Sequence, residues 1–137
     1  MSIQYKKNQQ ITLEQFIELL EHSTLGQRRP IHDKTCLQGM LDPANLIISA
    51  WDEDKLVGIA RCMTDFHYAC YLSDLAVDEA YQNQGIGKQL QIRVQQALNE
   101  HCKLILISAP AANSYYEHIG FTRNERCWVL QRSESIK

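Results

Sequence analysis

No apolar stretch in this 137-residue chain approaches the ~18–20 residues a membrane-crossing helix needs. No apolar run follows a basic start either, so neither a span nor a secretory leader is expected. Basic charge is not in excess: 14 Lys and Arg stand against 16 Asp and Glu, for a formal net charge of −2. That balance excludes the electrostatic footprint of a nucleic-acid or anionic-membrane binder. The five cysteines, Cys36, Cys62, Cys70, Cys102 and Cys127, are odd in number and contain no C-x-x-C pair. A disulfide framework and a zinc site are therefore not expected, and free thiols, most of them buried, fit a reducing cytosol. The five histidines show no metal-ligand spacing, repeats and low-complexity tracts are missing, and no metal is expected. What remains, 45% hydrophobic and 22% charged residues, is ordinary for one globular domain spanning 1–137.

Periodicity and punctuation predict the elements. Residues 3–7 read as a short strand. Thr12 is placed to cap a helix, Gln15 completing a capping box, with Leu13, Phe16, Ile17 and Leu20 on one face. Residues 23–30 read as a loop, and Asp33 caps a second helix reaching Leu41, which Asp42-Pro43 stops. Residues 46–51 and 56–63 read as strands around an acidic turn, and 68–77 continue the meander. From Gly85 a helix carries Ile86, Leu90, Val94, Ala97 and Leu98 on one stripe. Residues 103–108 are nearly all apolar, as in a strand buried on both faces, and strand–helix–strand order makes them parallel to 68–77. A helix over 112–119 ending at Gly120 and a closing strand over 128–131 complete a mixed α/β, α+β sandwich.

The junction between the 68–77 strand and the following helix carries the chemistry. Gln82, Asn83, Gln84, Gly85, Ile86, Gly87 and Lys88 open directly into the helix. A helix N-terminus presents about four unpaired N–H groups and roughly half a positive charge, and two glycines allow close backbone approach, so a phosphate or pyrophosphate fits here. Two nucleotide-binding alternatives fail. The Walker pattern needs a glycine where Gln82 stands and Ser or Thr where Gln89 stands; the dinucleotide fingerprint needs a third glycine at Leu90 and an acidic residue near Ser108.

Taken with Ala112, Tyr115, Tyr116, Gly120 and Phe121 downstream, this loop resembles the GNAT superfamily of N-acetyltransferases, which move an acetyl group from acetyl-CoA to an amine. Their acetyl-CoA loop, Gln/Arg-x-x-Gly-x-Gly/Ala, is matched by residues 82–87, and their later signature, Ala-x-x-Phe-Tyr-x-x-x-Gly-Phe, by residues 112–121 with Tyr115 in place of Phe. The likeness is specific over about residues 55–122. It implies the GNAT fold, a twisted mixed sheet with a splayed parallel pair, and acetyl-CoA as cosubstrate without a metal. It also implies that the backbone of Leu75, Ala76 and Val77 pairs with the pantetheine arm while 82–88 holds the pyrophosphate. Tyr116 matches the residue that protonates the departing thiolate, and tyrosine suits that role with a pKa near 10; the alternative is a core aromatic. Tyr115 is assigned to packing.

A lysine-like amine costs about 4.6 kcal/mol to deprotonate at neutral pH, so a base helps. Family members often place it two and four residues before the position of Leu75, which here gives Ser73 and Tyr71, on one strand face by the period of two. Neither is a carboxylate or histidine. Asp74 points to the other face by the same alternation and, with a turn near His67, pairs structurally with Arg61. Asp78 and Glu79 read as solvated. Asn113 is either a helix cap or a contact to the CoA arm. The 23–45 region, where relatives form the acceptor pocket, holds His32. The acceptor is a small-molecule or peptide amine, and dimers through the C-terminal strand are common in the family. Cysteine as acetyl carrier is a lesser option, since no Cys adjoins a His in either signature. The alternative of a different class is a non-catalytic acyl-CoA-binding regulatory module with the same fold.

Overall fold

Local signals in the first hundred residues produce the elements they predict. In the computed structural model, which describes residues 2–137, β1 (Gln4–Lys7), β2 (Leu46–Asp52), β3 (Lys55–Thr64), β4 (Ala69–Val77) and β5 (Lys103–Leu106) form one sheet in that order. Neighbours are antiparallel except β4 and β5, which are parallel. Helices α1 (Leu13–Glu21), α2 (Lys34–Leu41), α3 (Ile86–Gln96) and α4 (Asn113–His118) complete the set. Thr12 caps α1 in a capping box with Gln15, and the Asp33 carboxylate accepts from the Cys36 amide at the start of α2. Residues 24–28, expected as loop, form a short 3-10 turn capped by the Ser23 hydroxyl.

The chain comprises two compact bodies, Met1–Ile107 and Ser108–Lys137. In the first, each face of the sheet carries its own core. On one face Leu46, Ile48, Ala60, Cys62, Cys70 and Leu72 meet Ile86, Leu90 and Val94 of α3. On the other, Ile47, Ile59 and Ala76 meet Phe16, Leu19 and Leu20 of α1 and Leu37 and Leu41 of α2. Leu19, outside the predicted stripe of α1, is as buried as its neighbours. Burying one such side chain contributes roughly 1.5–3 kcal/mol.

β5 departs from expectation. It is a four-residue edge strand rather than one buried on both faces: Ile105 stays 38% exposed and Ile107, just beyond it, 54%. Among the described residues nothing pairs with its outer side, so its apolar run marks an edge. Cys62 and Cys70 are buried, Cys102 half-buried, and Cys36 and Cys127 exposed; all five are free thiols.

In the second body a 3-10 turn (Pro110–Ala112) leads into α4. Gly120, at φ +105°, ends the helix: its amide donates to Glu117 and that of Phe121 to Tyr116, the two bonds of a Schellman motif. The strand expected over 128–131 is not formed. Trp128 is 90% exposed and its neighbours find no strand partner, and without a ladder β-propensity alone does not make a strand.

Candidate functional site

The approach to the loop is built from side chains that spend their hydrogen bonds locally. Asp78, expected in solvent, is buried: its carboxylate accepts from the Ala80 amide and pairs with Lys55 at 3.5 Å. The Tyr81 hydroxyl donates to Asp52 at 2.6 Å, a carboxylate contact that raises the phenol above its ordinary pKa. Gln82 is tied inward, its side-chain amide donating to the Val77 carbonyl at the end of β4 and its backbone N–H to Glu79.

Beyond Gln82 the backbone is left unspent. Asn83 and Gly85 take left-handed conformations, φ +64° and +80°, turning the chain into α3. Gly85 occupies the cap position, no side chain caps the helix, and the first bond into α3 runs from Gln89 to the Gly85 carbonyl. The amides of residues 85–88 are therefore unpaired donors at the positive end of an eleven-residue helix. Gly85 is required by its positive φ. Gly87 is not: it is helical, and a Cβ there meets only Val77 Cγ2, at 3.8 Å. Neither conformation nor packing within the protein therefore requires a glycine at this position.

β4 is paired with β3 from Cys70 to Val77, Ser73 apart, but on its other side only in its first half: Ala69 to Leu72 meet Lys103 to Leu106, and no strand continues beside residues 73–77. Leu75 and Val77 turn their side chains into the core against α3, while Ala76 faces α1.

The bulge in β4 overturns the face assignment of the base candidates. Arg61 pairs with Asp74 but Cys62 with Leu72, so Ser73 is an extra residue. Leu72 and Leu75, three apart, consequently join the same core. The period of two is broken at Ser73, and Tyr71, opposite Leu72, falls on the face of Asp74 rather than that of Leu75. Tyr71 remains 36% exposed. Ser73 is committed: its hydroxyl accepts from Arg61 Nη2 at 2.9 Å and its carbonyl from Arg29 Nη2 at 2.8 Å.

Asp74 is wholly buried and held by two guanidiniums, Arg61 as expected and also Arg29, whose Nε lies 2.6 Å away. Arg61 further donates to the Met40 carbonyl at the end of α2 and to the Met63 sulfur. The cluster thus binds the 23–30 segment, α2, β3 and β4 together. Arg29 escaped the sequence reading because a loop arginine carries no periodic signal. His32 is exposed and makes no hydrogen bond.

In the second body Tyr116 is half-buried and its ring packs edge-on against Tyr115 and Phe121, at 5.3 and 5.5 Å between centroids. The phenol has no hydrogen-bond partner among the described residues. Burial, and secondarily Tyr115, raises its pKa, so at neutral pH it holds its proton. Asn113 is the first residue of α4 rather than its cap, and its side-chain oxygen accepts from the Ser108 hydroxyl at 3.0 Å. Among the described residues no three His, Cys, Asp or Glu side chains gather to hold a metal.

A family model described as an acetyltransferase (GNAT) domain matches residues 9–128. The chain belongs to the GNAT acetyltransferase family. Among curated relatives, a ycf52-like N-acetyltransferase of Prochlorococcus marinus is 30% identical over 81% of this chain and 65% of its own length. The N-alpha-acetyltransferase 30 of Schizosaccharomyces pombe is 31% identical over 58% of this chain and 59% of its own. The chain thus spans about two thirds or less of these relatives. Among solved structures, a GNAT-family acetyltransferase of Streptococcus pneumoniae superposes with a TM-score of 0.73 at 23% identity, covering 96% of this chain and all of that one. The aminoglycoside N-acetyltransferase AAC(6')-Iy in complex with CoA reaches 0.72 at 17% identity over 96% of this chain and 95% of its own. The GNAT fold, a mixed sheet flanked by helices with one parallel pair, is what the structure shows.

Proposed function

We propose that this GNAT chain, read as a single domain over 1–137, is an acetyl-CoA-dependent N-acetyltransferase acting on a primary amine through a direct ternary complex. The observation that carries the reading is Gly87, a helical glycine with neither a conformational nor a packing reason, among four unpaired amides. Those amides suit a pyrophosphate, and the unpaired side of residues 73–77 suits an extended pantetheine arm. Acetyl-CoA supplies the acyl group as a thioester. Transfer forms a C–N bond and breaks the C–S bond; the nitrogen sheds a proton and the sulfur gains one. Tyr116, protonated and unengaged, is the donor to sulfur. Ser73 and Asp74 are spent on arginines, which leaves solvent to take the amine proton, directly or through the Tyr71 hydroxyl, which accepts it while passing its own proton to water. Asn113 is assigned to the CoA arm. The free thiols favour a reducing, cytoplasmic setting.

The test is calorimetry with acetyl-CoA beside thiol release against an amine panel. Gly87→Asp should stay folded, since a carboxylate at a helix start is favourable, yet bind acetyl-CoA at least about tenfold more weakly by charge repulsion and occupation of the amides. Unchanged affinity in that variant sinks the assignment. The absence of a carboxylate base favours a second reading, a non-catalytic acyl-CoA-binding regulatory module. Binding of acetyl-CoA with no acetylation of any amine tried would select it.

A further inference from the structure

Arg29 and Arg61 share one carboxylate. Asp74 is their only ion-pair partner among the described residues, so the cluster carries an excess positive charge with Arg61 6% exposed and Arg29 22%. Arg29 spends three of its five N–H groups, on Asp74, Ser73 and Arg28, and keeps one on each terminal nitrogen. A partly exposed guanidinium with a free N–H at both tips and no compensating charge matches a carboxylate in shape and sign.

Beside this charge lies an apolar row. Met63 of β3 pairs with Tyr71 of β4, and Tyr71 with Ile105 of β5. Directly paired residues share a face of the sheet, and Arg61 and Met63, two apart on β3, share it too, their side chains in contact at 3.5 Å. Met63, Tyr71 and Ile105 are 36%, 36% and 38% exposed, although the same face is buried under α1 and α2 farther along. The row begins where β4 bulges at Ser73. That is also where an acyl arm laid along residues 77 to 73 would bring its reacting end.

We propose that this row is the seat of the acceptor and that the acceptor is an apolar amine bearing a carboxylate, its body on Met63, Tyr71 and Ile105 and its carboxylate on Arg29. The assignment rests on the acetyltransferase reading above. Polyamines and aminoglycosides, which bring several positive charges, are disfavoured by the excess charge of the cluster.

The test compares 4-(aminomethyl)benzoate with 4-(aminomethyl)benzamide, spermidine and kanamycin as acceptors, by thiol release at low salt, with acetyl-CoA affinity measured separately by calorimetry. The two benzyl amines share a body and a similar amine basicity and differ in charge. The benzoate should have a kcat/KM roughly ten- to a hundredfold above the benzamide, the range of a charge-assisted hydrogen bond. Arg29→Gln should bring that ratio toward one without changing acetyl-CoA affinity. Tyr71→Ser, at an exposed position that does not threaten folding, should raise KM for both benzyl amines alike. Spermidine or kanamycin as the best acceptor, a ratio near one in the wild type, or a KM unmoved in Tyr71→Ser overturns the assignment. So does a chain that binds acetyl-CoA and acetylates another amine of the panel but none of the four, whereas acetylation of no amine at all selects the non-catalytic module. A chain that does not bind acetyl-CoA at all overturns the acetyltransferase reading beneath it.

Discussion

Two regions attached to β4 differ in what they leave unspent. The loop after Val77 ends in four amides with no acceptor and a glycine with no internal purpose. The cluster at Asp74 does the opposite: a fully buried carboxylate takes two arginines, and those arginines reach Ser73, Met40 and Arg28. Saturated polar groups hold a fold together, because an unpaired buried charge is costly. Unpaired groups at a surface are available to a ligand. The unengaged tips of Arg29 are where the saturated region itself retains some binding capacity.

Tyr116 combines both properties in one side chain, its ring packed on Phe121 and its hydroxyl free. Tyr116→Phe should therefore lower turnover about 10²- to 10⁴-fold while leaving the melting temperature and acetyl-CoA affinity in place. Steady-state thiol release on a good acceptor, with calorimetry alongside, checks this; full turnover would make Tyr116 a packing residue. The saturated cluster should respond in stability. Asp74→Ala leaves two guanidiniums without their carboxylate and should cost about 3–5 kcal/mol in urea unfolding, and a loss under about 1 kcal/mol would show that solvent replaces it. Gly87→Ala sharpens the contrast most, because its effects should have opposite signs. Stability should rise by roughly 0.5–1 kcal/mol while acetyl-CoA affinity falls, and a change of the same sign in both would break the comparison.

The smallest effect is expected at the β3–β4 turn. Asp65 accepts from the amides of Tyr68, Ala69 and His67, which lower its pKa from 3.8 to about 2. The folded-state pKa is depressed, so this contribution is present above the unfolded value and is lost as pH falls through about 4 toward 2. Asp65→Asn should flatten that part of the acid limb in urea midpoints measured against pH. Exposure of the carboxylate keeps the effect small.

The caps at Thr12 and Asp33, the glycine-led start of α3 and the glycine stop of α4 were legible because each is a local rule, satisfied within four residues. The Arg61–Asp74 pair was legible because one short hairpin sets its register. The same rule failed two residues away. One extra residue at Ser73 reverses the alternation and moves Tyr71 off the face of Leu75, and no residue type there announces it. The 128–131 segment failed for a related reason, since a strand exists only where another strand receives it.

By itself, then, the sequence determined the helix ends, the meander and the unpaired amides that suit a pyrophosphate, all consequences of short-range backbone chemistry. Tertiary structure alone decided that Arg29 joins Arg61 on Asp74, that Ser73 is spent on them, and that Met63, Tyr71 and Ile105 share an open face. Those facts depend on strands and loops distant in sequence meeting in one register, and no local pattern encodes which residues a bulge will bring together.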